Sequence, residues 1–106
     1  MALVDEKAHK VQSEEKPLSA EESWALSREV PKWSLHDGSL ETELRFHGFG
    51  EAMEYVNQVA TIAQREDHHP DIQISYDTVH LTLSTHKIGG LSRNDFIVAA
   101  KIDHLM

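Results

Sequence analysis

Ser39-Leu40-Glu41-Thr42-Glu43-Leu44-Arg45-Phe46-His47-Gly48, together with the run Phe49 to Arg65 that follows it, decides the fold, because the period of its apolar residues changes at Gly48. Before the glycine, Leu40, Thr42, Leu44 and Phe46 alternate with Glu41, Glu43, Arg45 and His47. That two-residue period belongs to a strand with one buried and one wet face. After the glycine, Phe49, Ala52, Met53, Val56, Val59, Ala60 and Ala63 recur at spacings of three and four, the stripe of an amphipathic helix. A half-buried strand running into a one-sided helix predicts a sheet covered on one face by helices.

Upstream, Trp33 to His36 reads as a short strand joined to Ser39–His47 by the turn signal Asp37-Gly38. Before it, Ser19-Ala20-Glu21-Glu22 is a capping box: a hydroxyl at the N-cap and a carboxylate three residues on. It opens a helix in which Trp24 and Ala25 are expected to face inward, and which Pro31 stops after Val30. Residues 1–17 are polar and read as a mobile or weakly helical extension ended by Pro17, with residues 18–106 forming the domain.

Downstream, the long helix must end before Pro70. Ile72 to Tyr76, a turn around Asp77-Thr78, and Val79 to Thr85 predict a second hairpin. Val79, Leu81 and Leu83 share one face, while His80, Thr82, Ser84 and His86 form a polar stripe on the other. Tyr76 is expected in the core. Gly89-Gly90 loops into a second capping box, Ser92-Arg93-Asn94-Asp95, which puts Asp95 in the first turn of a helix over 92–105. Phe96 to Ile102 is apolar nearly all round, so the helix is either sandwiched in the core or meets another subunit with its second face. In so small a domain the subunit contact is expected. The expected fold is α+β: a four-stranded antiparallel sheet with three helices packed on one face, in the order α-β-β-α-β-β-α.

The chain has 106 residues, 40% hydrophobic and 26% charged, within the range of one small globular domain. Its 18 acidic and 10 basic residues give a net charge of −8, which disfavours direct contact with nucleic acid or an anionic membrane. No run approaches the roughly 20 apolar residues of a membrane span, and the N-terminus lacks the order of a secretory signal. There is no cysteine, so disulfides and thiolate metal sites are excluded. A cytoplasmic location is expected.

The chemistry lies in Asp67-His68-His69-Pro70, Ser84-Thr85-His86 and Asp95. Histidine is the side chain best suited to moving protons near neutral pH, and no phosphate loop or activated serine competes with this set. Asp67, His68, His69 and His86 also comprise ligand types suited to zinc or nickel. Adjacent histidines seldom aim at one ion, however, and no two histidines stand four apart. No metal and no cofactor are expected.

His68-His69-Pro70, five residues, Tyr76, nine residues, His86, eight residues and Asp95 resemble the pterin-4a-carbinolamine dehydratase family, known in animals also as the dimerisation cofactor of a homeodomain transcription factor. The resemblance spans residues 18–104. It implies dehydration of a 4a-hydroxytetrahydropterin to the quinonoid dihydropterin, which needs one proton donor and one acceptor. By similarity His68 and His86 transfer protons, His69 positions the pterin, and Asp95 orients a histidine or favours its charged form. Helix capping is an equally good and compatible reading of Asp95. Gln64, Asp67 and Pro70 are also expected at the substrate, with Pro70 chiefly aiming the histidine pair. Ser84 and Thr85 read equally as contacts to the pterin's amide edge or as ordinary sheet positions beside His86. The family usually has an acidic residue where Gln64 stands. A homodimer or homotetramer is implied; a further protein partner is possible but unidentified. The alternative reading is a pterin-binding or dimerisation module without turnover.

Overall fold

The computed structural model describes residues 2–106. Three α-helices and four strands follow in the order α1 (Ala20–Ser27), β1 (Ser34–His36), β2 (Ser39–Arg45), α2 (Phe49–Glu66), β3 (Asp71–Ser75), β4 (Thr78–Leu83) and α3 (Arg93–Asp103). All pairings are antiparallel and the sheet order is β1-β2-β4-β3. This is the α+β architecture that the change of period at Gly48 predicts. No helix is long and apolar enough to cross a membrane among the described residues.

The central strand β4 sets the core. Val79, Leu81 and Leu83 are buried, and Leu40 of β2 lies opposite Leu83. Their other neighbours come from α2 and α3, including Val59, Phe96, Ile97 and Ile102. On the opposite sheet face His80 meets Glu41, with Nε2 and Oε1 3.1 Å apart.

Several local expectations change. In α1 the capping box forms, with Glu22 N–H donating to Ser19 Oγ at 3.1 Å and Ser19 N–H to Glu22 Oε1 at 2.9 Å. The helix ends at Ser27, however, and Trp24 is 64% exposed. Ser23 and Leu26, three apart, supply the inward stripe instead, and Trp24 lies about 100° round the helix from Ser23. Tyr76 is not core: it sits in the β3–β4 turn at φ 52°, 70% exposed. In α2 the buried stripe runs through Ala52, Tyr55, Val59, Ile62, Ala63 and Glu66, leaving Phe49 and Ala60 exposed. Tyr55 enters it by packing on Phe46, with ring centroids 4.9 Å apart.

The apolar girth of α3 has its cover within the chain. Residues 94–99 and Ile102 are buried against α2, the sheet and the N-terminal segment. Leu3, in a 3-10 turn over Leu3–Asp5, joins the core at 2% exposure. Lys101 Nζ donates to Val4 O at 2.8 Å, and Arg93 grips Glu6 through two hydrogen bonds of 2.7 and 2.6 Å. The expected mobile extension is therefore packed structure, and the apolar pattern of α3 does not require a second subunit.

Candidate active site

The exit of α2 aims the histidine pair. Asp67 takes the left-handed conformation at φ 52°, which aspartate tolerates better than most residues. Its N–H donates to Gln64 O at 3.3 Å, and His68 N–H to Ala63 O at 3.1 Å. These two bonds are a Schellman termination. The chain then turns at Pro70, which is buried.

His68 points inward, its side chain 12% exposed, with Nε2 2.6 Å from Oδ1 of Asp95. Asp95 is fully buried in the first turn of α3. Its Oδ2 accepts from Ser92 N–H at 2.9 Å and from Thr85 Oγ1 at 2.8 Å, and Thr85 Oγ1 also lies 2.7 Å from Ser92 Oγ. A buried carboxylate is costly unless its oxygens are occupied, and here both are. With Asp95 as acceptor, His68 carries a proton on Nε2 and keeps Nδ1 for other partners. Capping and histidine orientation are thus two duties of one side chain.

His69 is exposed, and its Nε2 lies 2.6 Å from Gln64 Oε1, one turn back on α2. His86 opens a short 3-10 turn, His86–Ile88, beyond the end of β4. The backbone bridge between Thr85 and Gly90 closes this loop, with Thr85 N–H to Gly90 O at 2.8 Å. His86 is exposed. Ser84 Oγ donates to Gly38 O at 2.7 Å, so the hydroxyls of Ser84 and Thr85 both have partners within the protein.

His68, His69 and His86 line one cavity of about 360 Å³ with Asp67, Ser84 and Thr85, a volume within the roughly 300–1,000 Å³ typical of small-molecule sites. Gln64 and Pro70 do not line it. Gln64 contacts His69, and Pro70 is buried next to it in the chain. Cavities of about 410 and 430 Å³ lie elsewhere, one beside Pro17 and Gly90 and one between Gln58 and His104. Neither collects several histidines, so the smaller cavity is the candidate site. Among the described residues no three His, Cys, Asp or Glu side chains are arranged to hold a metal ion.

His9, Lys10, Val11, Lys87 and Asn94 also line the cavity. Sequence reasoning passed over them. His9 to Val11 stand in a polar tail with no periodic signal, and Asn94 looks like an ordinary first-turn residue. Lys87 adjoins His86, and that neighbourhood was the one available hint.

Comparison with known proteins matches these features. The profile of the family described as pterin 4 alpha carbinolamine dehydratase fits residues 16–105. A Nitrosospira multiformis protein designated an inferred pterin-4-alpha-carbinolamine dehydratase is 47% identical over 89 residues, covering 84% of this chain and 79% of its own. A Halorhodospira halophila protein of the same designation is 37% identical over 107 residues, covering 99% of this chain and 98% of its own. The crystal structure of a transcriptional coactivator/pterin dehydratase from Brucella melitensis superposes with a TM-score of 0.80 at 26% identity, covering 85% of this chain and 98% of that one.

Proposed function

The chain belongs to the pterin-4a-carbinolamine dehydratase family, and on that premise we propose that it dehydrates a 4a-hydroxytetrahydropterin by histidine acid-base catalysis. The observation that carries this reading is the convergence of His68, held by buried Asp95, and exposed His86 on one cavity from different elements.

Hydroxide leaves C4a poorly, so an imidazolium protonates the oxygen and the C4a–O bond breaks as water departs. The N5 lone pair forms the C4a=N5 bond, and the N5 proton passes to a neutral imidazole. One donor and one acceptor balance the step. The 2.6 Å contact with buried Asp95 fixes the His68 ring in the cavity wall, so His68 is assigned as donor and exposed His86 as acceptor. His69, steadied by Gln64, braces the ring, with Asp67, Ser84 and Thr85 completing the wall. Pro70 acts by aiming the pair. This chemistry serves the recycling of a pterin cofactor after aromatic-amino-acid hydroxylation.

Self-association belongs to the same proposal, as a homodimer or homotetramer. Strand β3 is an open sheet edge bearing exposed Ile74, and such an edge can pair with a second copy. A second reading, a pterin-binding or scaffolding module, draws on the exposed Trp24 and Phe49 and on the Brucella relative, which is named a transcriptional coactivator as well as a pterin dehydratase.

The test is to mix purified protein with freshly generated 4a-hydroxytetrahydropterin and follow the ultraviolet absorbance of the quinonoid product. Formation that accelerates with protein concentration supports the enzyme. A rate equal to the spontaneous one, with pterin still bound, sinks it in favour of the scaffold.

A further inference from the structure

The family profile begins at residue 16, yet His9, Lys10 and Val11 line the same cavity as the three histidines. Their placement is built rather than incidental. Asn94, 2% exposed, accepts from His9 N–H at 2.9 Å and donates to His9 O at 2.6 Å. One residue back, Ala8 N–H donates to Oε1 of buried Glu66 at 2.8 Å. Two buried polar side chains thus fix the backbone on which Lys10 stands.

Burial divides the cavity into a floor and a rim. Val11, Thr85 and Asn94 are buried, whereas Lys10, Lys87, His69 and His86 are exposed. The chain carries a net charge of −8, and Asp67 is the one carboxylate among the residues lining this cavity. Neither Lys10 nor Lys87 has a carboxylate within 4.0 Å among the described residues. Two unpaired ammonium groups at the mouth of a concave site in an acidic protein focus an attraction for anions. The dehydration step itself has no use for them, because its charge develops at C4a and N5.

We propose that Lys10, delivered by the N-terminal segment, and Lys87 across the mouth make this site select reduced pterins whose C6 substituent carries an anionic group. A flat ring seated on the floor leaves that substituent at the rim, where a phosphate ester or a carboxylate meets both ammonium groups. The inference rests on the cavity being the pterin site.

The test measures dissociation constants by isothermal titration of the full chain at fixed ionic strength. Its ligands are 7,8-dihydroneopterin, the 3′-phosphate of that compound, and dihydrofolate. The phosphate ester, the carboxylate-bearing ligand or both bind about tenfold tighter than the neutral compound, as expected for two exposed ion pairs. The arms show which anion is preferred. The preference fades with added salt, halves or better in Lys10→Gln, and vanishes in Lys10→Gln/Lys87→Gln. Equal affinity for all three ligands, a preference that survives the double substitution, or no binding at all overturns the inference. Turnover is read separately: selective binding without dehydration removes the dehydratase reading and keeps this one. Dehydration with unselective binding does the reverse.

Discussion

Nε2 of His68 lies 2.6 Å from Oδ1 of Asp95, whose other oxygen is occupied by Ser92 and Thr85. One carboxylate therefore joins the exit of α2, the end of β4 and the start of α3. Asp95→Asn keeps the shape but replaces one acceptor oxygen with a donor, so His68 or the Thr85–Ser92 pair loses its partner. Turnover is expected to fall by about 10²-fold or more, the scale of acid-base assistance. Stability falls by on the order of 1–3 kcal/mol, the cost of leaving a buried polar group unsatisfied. Steady-state kinetics beside a urea melt checks both, and an unchanged rate would remove Asp95 from the mechanism.

His86 makes the opposite kind of prediction. It is exposed and opens a loop held by backbone bonds between Thr85 and Gly90. His86→Ala is expected to leave stability within about 0.5 kcal/mol of the parent while turnover falls by about 10²-fold or more. A variant that melts early would show that the imidazole is structural.

Gln64 holds His69 through a 2.6 Å contact. Gln64→Glu places a carboxylate there and so adds a negative charge beside the pterin-bracing imidazole. Tighter pterin binding or faster turnover is expected from titration calorimetry and steady-state kinetics. Unchanged binding and turnover would make the glutamine neutral.

The N-terminal segment has a predicted acid limit. Hydrogen bonds from Arg93, and then its charge, hold the Glu6 carboxyl below its ordinary value of 4.5. A lowered folded-state value means that the pair's contribution is complete above 4.5 and is lost as the pH falls through the folded value. Glu29 also acts on Arg93, and Lys7 and Glu66 pair nearby. Protection of the Ala8 and His9 amides, taken as the exchange rate relative to the intrinsic rate at the same pH, is expected to fall on acidification below that range. In Arg93→Ala protection is lower throughout and varies less with pH. Identical pH dependence of protection in parent and variant would contradict this assignment.

Much of the fold was legible because β2, α2 and β4 each bury one face, so their apolar periods are clean. The spaced set His68, His69, His86 and Asp95 was legible as a pattern, and in the structure Asp95 bonds His68 while the three histidines share a cavity. The N-terminal segment was not. Leu3 and Val11 are isolated apolar residues in a polar run, and their segment is tied down by Glu66 and Asn94, polar residues 58 and 85 positions away from Ala8 and His9. The all-round apolar pattern of α3 was real, but nothing local indicates that Leu3 covers it. Trp24 and Tyr76 were misplaced for a related reason: in a short helix or at a hairpin tip, one residue of phase decides between core and solvent.

The most direct measurement is the decay of 4a-hydroxytetrahydropterin followed by absorbance for parent, His68→Ala and His86→Ala at equal concentration, with folding checked by circular dichroism. The account predicts acceleration in proportion to parent concentration and a loss of about 10²-fold or more in each folded variant. A parent that leaves the spontaneous rate unchanged, or a folded variant as fast as the parent, would contradict it.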